Sequence, residues 1–134
     1  MVHQHCNTTG QKNGQAMALL SGGDRSVFYQ CKITGNQDTL LVQVSRQLFR
    51  ECQIIGTIDF IFSYGTAIFQ KCNIYIKKNR IGATTVIAAH DCNSSTNSSG
   101  FSFQHYTING DPQQSPTSTT PVGAYLGRDW GTYA

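Results

Sequence analysis

The chain has 134 residues, enough for one domain with a genuine core, and its 13 Gly, low charge (13%) and many Val, Ile, Phe and Thr favour β-structure over helix. No apolar run approaches the roughly 20 residues of a membrane span, and no basic stripe or nucleic-acid motif accompanies the net charge of +3, which fits an anionic partner only loosely. The spacings of the five Cys and four His match no zinc motif, so the sequence implies no metal, no nucleic acid and no membrane.

In chain order, Met1-Val2-His3-Gln4-His5 is polar and unlike a signal peptide. Residues 15–20 form a short apolar run ending at the turn Ser21-Gly22-Gly23-Asp24. Alternation predicts a strand over 26–34, a turn at Gly35-Asn36 and a short strand over 39–44. The same order returns as a strand near 47–55, a bend at Gly56 and a strand near 58–62. A third pass runs from Ala67 to Ile76 and closes at the exposed turn Lys77-Lys78-Asn79-Arg80, before a strand over 84–89. Residues 90–100 and 110–121 read as polar surface loops, and Leu126-Gly127-Arg128-Asp129-Trp130 opens a further element. Acceptor sequons at Asn7, Asn93 and Asn97 are compatible with secretion.

The passes are copies of one another. Phe28-Tyr29-Gln30-Cys31-Lys32-Ile33 is followed by Phe49-Arg50-Glu51-Cys52-Gln53-Ile54 and Phe69-Gln70-Lys71-Cys72-Asn73-Ile74, at Phe spacings of 21 and 20. Phe103-Gln104-His105-Tyr106-Thr107-Ile108 resumes the phase, with Tyr106 at the Cys position. A repeat this short, with no amphipathic helices between the strands, predicts a chain that winds and stacks on itself: an all-β parallel β-helix. An antiparallel sandwich would not require the phase-locking. Cys31, Cys52 and Cys72 then form an interior ladder; stacked thiols lie within reach of a disulfide, and free buried thiols are the expectation.

Asp38 and Asp59 each follow a repeat Cys by seven residues. Winding sets them one coil step apart, about 4.8 Å, where two carboxylates do not comfortably both ionise. One holds a proton, so the pair offers an acid and a base in one place. Taken singly, each is also explained as a turn aspartate satisfied by backbone amides. Gln15 and Gln37 are amide donors suited to a developing oxyanion. Arg128 beside Trp130 pairs a carboxylate-orienting fork with a ring that stacks on sugars, although a core Trp and a solvated Arg remain the plainer explanation.

Asn7-Thr8-Thr9-Gly10, Gln15-Ala16-Met17-Ala18-Leu19, Gly35-Asn36-Gln37-Asp38-Thr39-Leu40, Arg46-Gln47-Leu48-Phe49-Arg50-Glu51-Cys52, Gly56-Thr57-Ile58-Asp59-Phe60-Ile61-Phe62 and Leu126-Gly127-Arg128-Asp129-Trp130 occur in the order and approximate spacing of plant-type pectin methylesterases. The resemblance covers essentially the whole chain, 1–134, as a central part of that family's catalytic domain, incomplete at both ends. It implies a right-handed parallel β-helix, secreted to the cell wall and monomeric. It implies hydrolysis of the C6 methyl esters of homogalacturonan without metal or organic cofactor, and a possible proteinaceous inhibitor as partner. By this resemblance Asp59 is the nucleophile, Asp38 the general acid and then base, and Gln15 and Gln37 stabilise the tetrahedral intermediate. Arg128 orients Asp59, while Phe62 and Trp130 line the sugar cleft.

The chain departs from the family pattern in places. Ser63-Tyr64 replaces a Gly-Asn pair, Leu41 a common tyrosine, and Asp129 a proline, from where it is placed to compete with Asp59 for Arg128. Tyr106 replaces the cysteine expected to pair with Cys72. These departures keep open a non-catalytic β-helix that binds acidic polysaccharide or only retains the fold. A β-helix lyase finds no calcium-binding carboxylate cluster here.

Overall fold

The computed structural model describes residues 5–7, 15–43, 46–77, 85–92, 98–110 and 123–130. In chain order the strands are β1 (His5–Asn7), β2 (Leu19–Ser21), β3 (Ser26–Tyr29), β4 (Lys32–Thr34) and β5 (Leu40–Val42). Next come β6 (Arg46–Arg50), β7 (Gln53–Gly56), β8 (Ile61–Ser63), β9 (Thr66–Gln70) and β10 (Asn73–Ile76). The remainder are β11 (Thr85–His90), β12 (Gly100–Gln104), β13 (Thr107–Gly110) and β14 (Ala124–Asp129). No helix occurs among the described residues.

Every pairing is parallel and joins a strand to its equivalent one coil away, giving three sheets ordered β1-β4-β7-β10-β13, β2-β5-β8-β11-β14 and β3-β6-β9-β12. This is a right-handed parallel β-helix. The repeat phase sets the register: Phe28 pairs with Phe49 and Phe49 with Phe69, Ile33 with Ile54 and Ile54 with Ile74. Stacking equivalent positions turns each inward residue into a column. Phe28, Phe49, Phe69 and Phe103 stack at centroid separations of 4.7, 5.0 and 4.9 Å with planes within 14°, the strand spacing imposed on rings. Ile33, Ile54 and Ile74 form a second buried column.

The predicted strands over 26–34, 47–55 and 67–76 are each two strands. Gln30, Glu51, Lys71 and His105 hold positive φ (53, 55, 53 and 51°), and the chain turns a corner at each. Side chains that are neither glycine nor proline conceal that corner, and alternation carries across it unbroken. The strand expected near 58–62 is likewise shorter: residues 57–60 form the bend that carries Asp59, and β8 starts at Ile61. The loops expected at 78–80, 93–97 and 111–121, and sequons Asn93 and Asn97, lie outside the described residues.

Cys52 and Cys72 are free, buried thiols. Cys52 donates to the carbonyls of Phe28 and Arg50 (both 3.4 Å) and Cys72 to that of Phe49 (3.3 Å). Its hydrogen bond with Cys72, with burial added, pushes the Cys52 thiol well above its usual range. In the next coil Tyr106 occupies the column and packs on Phe103 at 5.5 Å.

Candidate active site

Two equivalent bends build the centre of the site. In both, a glycine precedes the aspartate by three residues and a bulky residue follows it: Gly35…Asp38-Thr39 and Gly56…Asp59-Phe60. A Cβ on Gly35 would overlap Thr39, and one on Gly56 would overlap the Cβ and Cγ of Phe60. The bare glycine lets the buried residue after the aspartate fold back across the bend. Both aspartates hold positive φ, 59° at Asp38 and 48° at Asp59, a conformation aspartate tolerates better than most residues.

The bends are stapled into one column by backbone bonds: Thr57 N–H to Asn36 O (3.1 Å), Leu40 N–H to Phe60 O (2.8 Å) and Asp59 N–H to Val86 O (2.7 Å). With Leu40 opposite Ile61 in register, Asp38 and Asp59 occupy equivalent positions of adjacent coils. Burial raises the Asp38 pKa, the Asp59 charge raises it further, and Arg128 partly offsets both. One coil earlier, Ala16 N–H donates to Gln37 O (3.3 Å), which sets Gln15 beside the same column. Among the described residues neither Gln15 nor Gln37 uses its side-chain amide in a hydrogen bond.

Arg128 arrives from β14, 69 residues after Asp59, and grips it in a bidentate fork: Nε to Oδ1 at 3.0 Å and Nη2 to Oδ2 at 2.8 Å. The Asp59 side chain is only 13% exposed, so its charge has largely exchanged water for guanidinium. Nη1 donates to the Asp129 carbonyl (2.9 Å), locking the fork from behind. In register, Arg128 lies opposite Ala89, Ala89 opposite Phe62, and Phe62 opposite Leu41, itself opposite Leu20. This row runs alongside the aspartates as an apolar floor. The small Ala89 leaves the path from Arg128 to Asp59 clear.

An aromatic wall closes one side. Trp130 meets Phe62 edge-on at 5.7 Å and Tyr64 at 4.8 Å with a 37° tilt. Trp130 remains 40% exposed.

The family model described as Pectinesterase matches residues 3–134. The chain belongs to the pectinesterase family. "Probable pectinesterase 56" of Arabidopsis thaliana is 40% identical over 128 residues, covering 96% of this chain and 44% of that protein. A "Pectinesterase/pectinesterase inhibitor" of Prunus persica is 41% identical over 128 residues, covering 96% and 24%. The solved pectin methylesterase from carrot superposes with a TM-score of 0.86 at 33% identity, over 94% of this chain and 40% of that one. The chain thus spans less than half the length of the curated relatives it matches.

Against the pectinesterase pattern, the departures resolve structurally. Asp129 offers Arg128 its backbone carbonyl, while the guanidinium fork stays on Asp59. Ser63 turns its hydroxyl inward, donating to Val42 O (2.6 Å) and accepting from Gly65 N–H. Leu41 is part of the floor. Of the residues expected from sequence, Arg128 and Asp59 are in direct contact, Asp38 sits one coil from Asp59, Phe62 touches Trp130, and Gln15 and Gln37 lie on adjacent coils of the same column. Sequence reasoning passed over Ala89 and His90, whose only signal is their alignment with Phe62 and Ser63 in a strand of otherwise ordinary composition.

Proposed function

We propose that this chain, residues 1–134, is a segment of a pectinesterase catalytic domain that hydrolyses the C6 methyl esters of homogalacturonan to carboxylate and methanol. The observation that carries the proposal is the Arg128 fork on Asp59 next to Asp38, whose pKa is raised. The fork pairs Asp59 with a guanidinium and aims it, and burial with the neighbouring carboxylate raises the Asp38 pKa, which suits Asp38 to the role of proton donor.

In the proposed reaction a carboxylate oxygen of Asp59 attacks the ester carbonyl carbon, and the Gln15 and Gln37 amides hold the tetrahedral oxyanion. As the C–O bond breaks, Asp38 passes its proton to the departing methoxy oxygen, leaving an anhydride between Asp59 and the sugar carboxyl. Asp38, now a carboxylate, takes a proton from water, whose oxygen attacks the acyl carbon and releases Asp59. The product leaves as the carboxylic acid and gives its proton to solvent to become the carboxylate, while Asp38 is again protonated and Asp59 again a carboxylate. Leu20, Leu41, Phe62 and Trp130 present the apolar surface that sugar C–H faces need. The protein is proposed to be secreted, to act in the cell wall as a monomer, and to be open to a proteinaceous inhibitor of the kind named in the Prunus persica relative.

Methanol release from highly methyl-esterified pectin tests the proposal, with Asp59→Asn as comparison. Release that disappears in the variant supports it. A folded wild-type chain that binds pectin and releases no methanol overturns it in favour of a polysaccharide-binding β-helix.

A further inference from the structure

The bend between β8 and β9 is pinned more firmly than its sequence, Ser63-Tyr64-Gly65, suggests. Ser63 is fully buried and spans the step to β5 by its hydroxyl bond to Val42 O at 2.6 Å, while the same oxygen accepts the Gly65 N–H. The other side of that residue is held as well: His90 Nε2 is 3.0 Å from Gly65 O, and the His90 ring is fixed edge-on against Phe101 at 5.1 Å. The Gly65 N–H is therefore held within its own bend by Ser63, which is itself tied to β5, and the Gly65 carbonyl is tied to His90 of the next coil. Tyr64 lies between two anchored residues, and its ring lies on Trp130 at 4.8 Å.

Trp130 needs such support. It follows the last residue of β14, and its backbone is tied to His90 O through its N–H (2.9 Å). Among the described residues its other ring contact is with Phe62, T-shaped at 5.7 Å. We propose that Tyr64 is a positioning residue: held by Ser63 and His90, it backs the indole of Trp130 and fixes it as a stacking wall for a galacturonosyl ring beside Asp59. The substrate class rests on the reading under Proposed function; the support of Trp130 does not. An aromatic pair of this geometry is worth roughly threefold to tenfold in an equilibrium, and the benefit falls on binding rather than on bond-making, because Tyr64 is placed to touch no reacting atom.

The chain has one Trp, so its fluorescence reports this wall directly. The test compares wild type, Tyr64→Phe, Tyr64→Asn and His90→Gln, each checked for native circular dichroism. The readouts are acrylamide quenching, fluorescence titration with unesterified oligogalacturonate, and methanol release from pectin. Tyr64→Asn and His90→Gln are expected to raise quenching. Tyr64→Asn is also expected to weaken oligomer binding about threefold to tenfold and raise KM similarly with a smaller change in kcat; Tyr64→Phe restores each. Wild-type quenching and oligomer affinity in Tyr64→Asn overturn the proposal, whatever the methanol assay gives. If wild type releases no methanol while the quenching and binding differences hold, ester hydrolysis fails and the role of Tyr64 stands. If Tyr64→Asn does not fold, His90→Gln carries the test, and unchanged quenching there overturns the proposal.

Discussion

Gly56→Ala isolates the link between the bend and the chemistry. The new methyl would overlap Phe60 Cβ and Cγ, and even the ring carbon Cδ2 would be 2.8 Å away, against an ordinary carbon–carbon contact of about 3.5–4.0 Å. Relief requires Phe60 to move by the order of 1 Å, yet it is fully buried in the core. Cβ is the stem of that side chain, so no rotamer change avoids the clash. Overpacking of this kind costs about 1–3 kcal/mol or more, a large part of a typical stability of roughly 5–15 kcal/mol. Phe60 is bonded directly to Asp59, so a similar displacement reaches the nucleophile, where a 1 Å error is worth about 100-fold in rate. Gly100→Ala is the control: nothing lies within 4 Å of its Cβ, and the substitution is expected to be neutral or to gain up to about 1 kcal/mol through the unfolded chain. Urea unfolding followed by Trp130 fluorescence, with methanol release alongside, separates the two. A Gly56→Ala protein matching Gly100→Ala in midpoint and rate would refute the steric account of the bend.

Three further outcomes are expected. Asp38→Asn should stabilise the fold increasingly as pH rises. The raised folded pKa of Asp38 means its stability contribution is complete below the unfolded value, about 4, and is lost as pH climbs through the folded value; urea midpoints at pH 3 and pH 8 check this, and a wild type that gains on the variant as pH rises contradicts it. Arg128→Lys replaces the two-toothed grip by a point charge. At about 1.5–3 kcal/mol for a charge-assisted bond, discounted because the Arg128 side chain is 40% exposed, methanol release should fall about tenfold; an unchanged rate removes Arg128 from the mechanism. Phe69→Ala takes a fully buried ring from between two stacked neighbours and should cost about 3–5 kcal/mol in chemical denaturation, with less than about 1 kcal/mol showing that the column is not cooperative.

The repeat made much of this legible. Once Phe28, Phe49 and Phe69 are recognised as one position, the register of three sheets follows, and so does the adjacency of Asp38 and Asp59. What stayed hidden has local physical causes. The corners sit on Gln30, Glu51, Lys71 and His105, side chains that carry no turn signal, so alternation appears continuous across them. The pairing of Arg128 with Asp59 across 69 residues was legible only through the family motif, because periodicity says nothing about a side chain that crosses an intervening strand. The grip on Gly65 depends on the rotamers of Ser63 and His90, which composition does not encode.

Because Asp38 and Asp59 belong to consecutive windings, the backbone step between acid and nucleophile is a lattice constant of the solenoid, about 4.8 Å. Length changes outside the winding that joins the two bends leave that step untouched. A single-residue deletion between the two bends that slips the register breaks it at once. Evolution can therefore redecorate the loops around the cleft, and so alter which polymers enter, while the acid–nucleophile spacing stays as it is.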